Sequence, residues 1–445
     1  MPDARDIAYD MTRRVNSGGG YLSLLLRYGL DRQGLDPRDR SLVTELSYGV
    51  QRHRMKLDFI ISSFSRRPLD ELDPEVLDVL RLGVYQLSQM RVPKHAAVNE
   101  TVELAKRRLG LSPASFVNAV MRSASIGMEE VKWPTRDDLP LFLETIYSHP
   151  RWLVEYLLRI LGPEGAEELC VADNTIQSLT LRANTTRLDA PSLLGEIEAG
   201  GGTASLSGYL DEALIRVGLP HGSLLDLLEK GRCVVQDESS MLVSHVVDPA
   251  VGDTVIDACA APGGKATHIA QLGGDGCRVI AIDRNQRRLD ALRRSCKRLG
   301  LNNIETIVGD STRLKEHIED KADTVLIDAP CSGLGTLRRN PELKWRRLPG
   351  DLAALKALQL DLLQGCAGNV RRGGNLVYSV CAYTREETID VVDAFLADYQ
   401  EYHLQDLAPH LPDTLNSAVA EEGYIQLMPH LHGTEGMFIA RFMKA

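Results

Sequence analysis

Three stretches of this chain place residues suited to covalent chemistry at the ends of expected strands. Val255-Ile256-Asp257-Ala258-Cys259-Ala260-Ala261-Pro262-Gly263-Gly264-Lys265 reads as a buried strand, a tight glycine turn and the start of a helix. Asp328-Ala329-Pro330-Cys331 and Tyr378-Ser379-Val380-Cys381 follow at strand-to-strand distances. Gly263 and Gly264 let the backbone approach a ligand closely, and a helix N-terminus offers free N–H groups. The turn lacks the pattern Gly-x-Gly-x-x-Gly, which disfavours NAD. A nucleotide-type cofactor loop followed by cysteines near strand ends points to nucleophilic catalysis on a ligand held beside the cofactor. From the residues alone, Cys331 and Cys381 are nearly even candidates for the nucleophile.

The elements that must position these groups alternate strand and helix signals over residues 236–445, which predicts a parallel, doubly wound α/β sheet. Strands are expected at Thr254–Asp257, Arg278–Asp283, Thr306–Asp310, Thr324–Asp328, Asn375–Ser379 and Met437–Phe442. The first four end in Asp, at spacings of 26, 27 and 18 residues that leave room for crossovers. Ligands in such sheets bind beyond the carboxyl ends of the strands, so Asp257, Asp283, Asp310 and Asp328 point toward one site. Asp283, ending the second strand, stands where an acid accepts hydrogen bonds from ribose hydroxyls. A single Asp in such a place would be read as a helix N-cap; four in series favour a ligand site.

The full chain of 445 residues exceeds one ordinary core, so two or three domains are expected. Its hydrophobic content of 44% and charged content of 25% are those of a soluble globular protein. No apolar run approaches a membrane span, and the polar, acidic start is no secretory signal. Eight cysteines without a Cys-x-x-Cys pair argue against disulfide and zinc frameworks. A cytoplasmic monomer with reduced thiols and no metal site is the expectation. The net charge of −10 is unevenly spread: residues 1–128 hold 19 Lys+Arg against 15 Asp+Glu, net +4, and the rest is net −14. The N-terminal part is therefore the better candidate for nucleic acid.

Residues 1–128 read as all-helical. Asp73-Pro74-Glu75 is a helix start, followed by Val76, Leu77, Leu80, Val84 and Leu87 at helical spacing. A second stripe, Val98, Val102 and Ala105, ends in Lys106-Arg107-Arg108 and Gly110. That basic cluster suits a solvated helix end and RNA contact equally. Residues 129–235 form a second unit: a proline-bearing linker over 129–140, a helix from Pro150 to about Leu161, a strand over Ser178–Asn184, a short helix from Pro191 to Ala199, and a strand over Ala213–Val217. A small α/β layer is expected there. Arg338, Arg339, Lys344 and Arg346 surround Trp345, a grouping that suits a single-stranded RNA backbone and a splayed base.

Residues 5–125 resemble the NusB-type RNA-binding domain. The likeness rests on Asp39-Arg40-Ser41-Leu42-Val43, Tyr48-Gly49-Val50, Gly83-Val84-Tyr85-Gln86-Leu87, Val92-Pro93-Lys94-His95 and Phe116-Val117-Asn118-Ala119-Val120. Asp257-x-Cys259-Ala260-Ala261-Pro262-Gly263-Gly264-Lys265, Asp328-Ala329-Pro330-Cys331-Ser332-Gly333, the Tyr378–Cys381 stretch, Arg339-Asn340-Pro341-Glu342 and His432-Gly433-Thr434-Glu435-Gly436 resemble the RNA cytosine-5 methyltransferases. Together the two narrow the resemblance to the RsmB/Sun subgroup. That resemblance implies a NusB-like domain, a small α/β RNA-positioning domain and a Rossmann-like methyltransferase domain. It implies S-adenosylmethionine held by Cys259–Lys265, Asp283, Asp310 and Asp328. It also implies Cys381 as nucleophile, Cys331 assisting release, and 16S ribosomal RNA or an early small-subunit particle as partner. Asp328 would hydrogen-bond the base or, protonated, assist addition at the ring nitrogen. The chain departs from the family pattern around the thiol: Val380-Cys381-Ala382 stands for Thr-Cys-Ser, and Thr384-Arg385-Glu386-Glu387-Thr388 follows where Pro-Glu-Glu-Asn is usual. Thr384 and Glu387 have the spacing of a capping box. Rival readings are the same chemistry on transfer RNA and a catalytically idle RNA-binding assembly factor.

Overall fold

The computed structural model describes residues 3–31 and 35–445. It divides into two compact units, one ending at Thr175 and taking in Leu337–Leu348, the other made of Ile176–Thr336 and Pro349–Ala445.

The first unit is helical. Asp73 caps the helix Pro74–Gln89 by accepting from the Glu75 amide, and Pro74 occupies its first turn. Val76, Leu80 and Val84 are buried, with Leu77 and Leu87 packed at the margin of the same core. Two glycines of the NusB-like stretches permit close helix contact. A Cβ on Gly49 would fall 2.0 Å from the Tyr85 ring, and one on Gly83 would fall 2.6 Å from the Thr101 methyl. The Lys106–Arg108 cluster closes the helix Lys94–Leu109 as an exposed, solvated helix end, and two of its cations also make ion pairs. Arg107 and Arg108 reach the N-terminal helix Ala4–Asn16, at 2.9 and 2.7 Å from Asp6.

The helices Leu139–Ile146 and Arg151–Asp173 group with this unit, whereas the sequence pattern tied them to the strands that follow. The second of them continues past Leu161 across a break at Gly162, whose φ of +70° side chains rarely adopt. The expected linker over 129–140 is two 3₁₀ turns, Met128–Glu130 and Arg136–Asp138, running into the next helix.

The second unit carries both sheets. The small one is antiparallel, with β1 Leu179–Ala183, β2 Thr203–Leu206, β3 Ala213–Gly218 and β4 Cys233–Val235 in the order β2-β3-β1-β4. The helices Ala190–Ala199 and His221–Glu229 complete this layer.

The large sheet contains β5 Thr254–Asp257, β6 Arg278–Asp283, β7 Ile304–Val308, β8 Ala322–Asp328, β9 Val370–Val380, β10 Tyr402–Leu404, β11 Tyr424–Leu427 and β12 Met437–Lys444. Their order is β10-β12-β9-β8-β5-β6-β7, with β11 also on β12. β7, β6, β5, β8 and β9 are parallel neighbours. The sheet is mixed, not parallel throughout as the alternation predicted, because β12 enters antiparallel to β9, β10 and β11. The chain leaves β5 toward β6 on one side and returns to β8 on the other. That reversal opens a crevice above the ends of β5 and β8, where such sheets take ligands.

Candidate active site

Asp257 ends β5 at the centre of the sheet and is 1% exposed. Its Oδ1 accepts from the Cys259 amide at 3.3 Å, while Oδ2 has no hydrogen-bond partner among the described residues. Burial, then the neighbouring charge of Asp328, pushes its pKa up to about 7. Burial first, then the carboxylate of Asp257, drives the Cys259 thiol well above its ordinary value, so this cysteine is no thiolate. The loop then turns at Gly263, φ +107°, where a Cβ would meet the Leu292 side chain at 2.2 Å. Gly263 starts the helix Gly264–Leu272 without a side-chain cap, so its first amides stay open to a ligand.

Asp283 ends β6 and braces this loop: Oδ2 accepts from the Ala261 amide at 3.2 Å and Oδ1 from the Asn285 amide at 2.8 Å. Asp310 lies two residues beyond β7, which ends at Val308. It caps the 3₁₀ turn Ser311–Glu316 through Thr312 and pairs with Arg284 at 2.6 Å. Partial burial pushes its carboxyl up, but the bonds from Arg284 and Thr312 outweigh that and hold it at about 2. An uncapped helix start, an unpartnered buried carboxylate oxygen and strand-end acids fit a ligand that carries an ammonium and vicinal hydroxyls, as S-adenosylmethionine does.

The two cysteines meet because β8 and β9 are parallel and pair Asp328 with Ser379. Each strand then turns out of the sheet on the same side, and the sulfurs of Cys331 and Cys381 come within 3.2 Å. Asp328 is fixed from both flanks. Its Oδ1 accepts from the Ser379 hydroxyl at 3.0 Å, and its Oδ2 pairs with the Lys265 ammonium at 2.7 Å. Burial pulls Lys265 down, but Asp328, and after it Cys381, outweigh this and keep the ammonium charged. The hydrogen bond with Cys381, then burial, raises Cys331 well above its ordinary value, so this thiol keeps its proton.

Glu387 binds the two cysteine loops together. It is fully buried, and its carboxylate accepts from the Ser332 amide at 2.6 Å, the Gln359 side chain at 3.2 Å and the Thr384 hydroxyl at 2.7 Å. The expected capping box is not formed, since the Thr384 hydroxyl is spent on the carboxylate and no side chain caps the turn Arg385–Glu387. Ser379, Gln359 and Glu387 escaped the sequence reading as site residues. Only the acid pair Glu386-Glu387 behind Cys381 offered a signal.

The structure brings Lys265, Asp328, Cys331 and Cys381 together, with Asp257 and Asp283 at the adjoining cradle. The basic cluster belongs to the other unit. Arg338, Arg339, Lys344, Trp345 and Arg346 fall in Leu337–Leu348, which packs within the helical unit. Lys344 is 0% exposed and donates to Asn174 Oδ1 at 2.7 Å and Ser148 O at 3.2 Å. Trp345 Nε1 donates to Gln51 O at 2.8 Å, under the guanidinium of Arg54. Arg346 donates to the Val15 and Gly20 carbonyls, and the Arg338 carbonyl accepts from Arg52. The expected RNA contact at Lys344 is therefore corrected to an internal bond, while Trp345 and Arg346 are half-buried and spend polar atoms on backbone carbonyls of the helical unit. Lys344, fully buried and bonded, has no face left for phosphate.

This fold and site define a class: a Rossmann-like methyltransferase built onto a NusB-type helical domain. Family models agree piece by piece. NusB family matches residues 2–125, the Methyltr_RsmF/B-like ferredoxin-like domain matches 149–217, and 16S rRNA methyltransferase RsmB/F matches 244–443. The probable ribosomal RNA small subunit methyltransferase B of Bacillus subtilis is 35% identical over 99% of this chain and 98% of its own length. Ribosomal RNA small subunit methyltransferase B of Pseudomonas syringae is 31% identical over 97% of this chain and 94% of its own. The solved structure of PH0851 superposes over 100% of this chain and 99% of its own with a TM-score of 0.83 at 26% identity. NSun6 from Pyrococcus horikoshii, solved with SFG, covers 66% of this chain and 98% of its own at 25% identity and a TM-score of 0.59. The chain belongs to the ribosomal RNA small subunit methyltransferase B family, and its cofactor is S-adenosylmethionine.

Proposed function

We propose that this protein is a cytoplasmic enzyme that methylates carbon 5 of one cytidine in 16S ribosomal RNA, with a transient bond between Cys381 and carbon 6 of the base. The observation that carries this reading is the group Lys265–Asp328–Cys381–Cys331. A protonated thiol and a fixed ammonium flank a second thiol beside a strand-end carboxylate. That is the setting a nucleophilic thiolate needs.

Carbon 5 of cytosine is a weak nucleophile, and bound S-adenosylmethionine supplies an electrophilic methyl group. Addition of the Cys381 thiolate at carbon 6 makes carbon 5 enamine-like, so its electron pair takes the methyl group. Loss of the carbon-5 proton then re-forms the double bond and expels the thiolate. Asp328, oriented by Ser379 and Lys265, accepts a hydrogen bond from the exocyclic amine of the base. Cys331 keeps its proton within reach of Cys381, gives it to the departing sulfur and takes up the carbon-5 proton in its place. The target base must leave its stack to enter the crevice, which favours a loop or exposed nucleotide.

The test is transfer of tritiated methyl from S-adenosylmethionine to 16S ribosomal RNA, naked and as a small-subunit particle, with bisulfite sequencing of the product. Label at a single bisulfite-resistant cytidine is expected. Label on 16S ribosomal RNA in which bisulfite converts every cytidine, or label that appears only on added transfer RNA, would sink the proposal.

A further inference from the structure

Three residues far apart in sequence converge within the second unit, away from the cysteines. Glu212 directly precedes β3, His245 closes the helix Glu238–Val247, and His268 lies on the helix Gly264–Leu272 that follows the cofactor turn. Glu212 Oε1 lies 2.7 Å from His245 Nε2 and 3.0 Å from His268 Nε2. The three ligand-capable atoms all fall within 4.8 Å of one another.

A purely hydrogen-bonded cluster accounts for His245, whose ring nitrogen bonds the carboxylate. It does not account for His268. That imidazole is 1% exposed, its Nε2 faces the carboxylate, and neither nitrogen makes a hydrogen bond of proper geometry. A buried polar ring without partners is costly, and the cost needs a reason.

We propose that Glu212, His245 and His268 bind one Zn²⁺ ion, which ties the small sheet to the helix carrying the cofactor turn. Two imidazoles and one carboxylate are a zinc ligand set, with a water for the fourth position. Oxygen-seeking Mg²⁺ and Ca²⁺ are poorly served by it. Tetrahedral bonds of about 2.0–2.1 Å put ligand atoms about 3.4 Å apart, so the carboxylate needs to open from each imidazole by less than about 1 Å. His245 is 29% exposed and leaves an entry path. Arg182 stands beside the site with its guanidinium committed to Gln236, the Gly264 carbonyl and Thr267. Its charge disfavours a cation bound by electrostatics alone and leaves directional coordination to do the binding.

The experiment uses the full chain. Zn²⁺ retained after desalting is measured by mass spectrometry of the metal, and Co²⁺ is titrated as a visible-spectrum probe. One equivalent of metal and a tetrahedral Co²⁺ band without sulfur charge transfer are expected. His245→Gln and Glu212→Gln should each weaken Zn²⁺ binding by about tenfold or more, since even residues that merely support ligands cost that much. A Cys331→Ser/Cys381→Ser double variant should bind as the parent does. Folding of each variant is checked by circular dichroism. Less than a tenth of an equivalent in the parent would overturn the site, as would metal that survives in Glu212→Gln but vanishes in the double cysteine variant.

Discussion

The sulfurs of Cys331 and Cys381 lie 3.2 Å apart at the ends of adjacent parallel strands. One base can therefore reach both, and Cys331 keeps its proton. Replacing Cys381 with Ala is expected to abolish methyl transfer, by roughly a thousandfold or more, as loss of a nucleophile does. Cys331→Ala should leave addition intact and slow release, so that a protein–RNA adduct accumulates. A denaturing gel with labelled RNA and cofactor reads both. An adduct in Cys381→Ala and none in Cys331→Ala would exchange the roles.

Glu387 holds the relation between those thiols. Glu387→Gln sets an NH₂ against either the Ser332 amide or the Thr384 hydroxyl in a fully buried site. A loss of about 1–3 kcal/mol in stability is expected from the mismatched donor. Because the loops and not the cofactor cradle are disturbed, kcat should fall while the affinity for S-adenosylmethionine stays. Weakened cofactor binding with unchanged kcat would place Glu387 elsewhere in the machinery.

What was legible in the sequence follows from local physics. β5 and β6 start and end where hydrophobic patterning and terminal Asp residues placed them, because central parallel strands are continuous apolar runs. β7 begins and ends two residues earlier than expected, since an edge strand with a largely half-exposed face carries little pattern. The short strands β10 and β11, at Tyr402–Leu404 and Tyr424–Leu427, gave no signal above a loop. Cys331 and Cys381 were both visible as candidates, but their 3.2 Å contact depends on the pairing of Asp328 with Ser379. The basic stretch around Trp345 misled for the same reason. Its partners Gln51, Ser148 and Asn174 lie 294, 196 and 170 residues upstream, and nothing local marks Lys344 as buried.

Lys344 is a structural residue. Burial pulls its pKa down toward 7 against the upward pull of Asp173. Lys344→Met should cost about 1–3 kcal/mol through the lost bonds to Ser148 and Asn174. Urea denaturation reads that loss. The salt dependence of RNA binding should not change, because a phosphate contact is not being removed. A shallower salt slope with unaltered stability would restore Lys344 to the RNA surface. Residues Val15 and Gln51 anchor the same segment, so truncation before residue 129 is expected to unsettle Leu337–Leu348 as well as remove the helical domain.

His53 predicts a pH dependence. Burial, then the cations Lys344, Arg52 and Lys56, lowers its pKa to about 3, and its ring stacks on Tyr85 at 6.1 Å. The folded pKa lies below the unfolded value of about 6.5, so its contribution is complete above that value and is lost as the pH falls through it. At pH 5 the loss is about 2 kcal/mol, from roughly 1.5 pH units at 1.36 kcal/mol each. His53→Gln removes this titration. The stability difference between parent and variant should therefore shift by about 2 kcal/mol between pH 7.5 and pH 5. A constant difference across that range would mean that His53 titrates normally.

Asp283 should be felt by the cofactor in two ways. Its carboxylate ends β6 where ribose hydroxyls would seek an acceptor, and the same group holds the Ala261 amide of the cofactor turn. Asp283→Ala removes both, whereas Asp283→Asn keeps one acceptor and the shape. A hydrogen bond to a charged group contributes about 1.5–3 kcal/mol, so Asp283→Ala is expected to weaken S-adenosylmethionine binding by about tenfold to a hundredfold. Asp283→Asn should fall between it and the parent. Calorimetry on the full chain measures all three, with thermal melts to show that the fold persists. Unchanged affinity in Asp283→Ala would confine this residue to bracing the turn and leave the ribose to another acceptor.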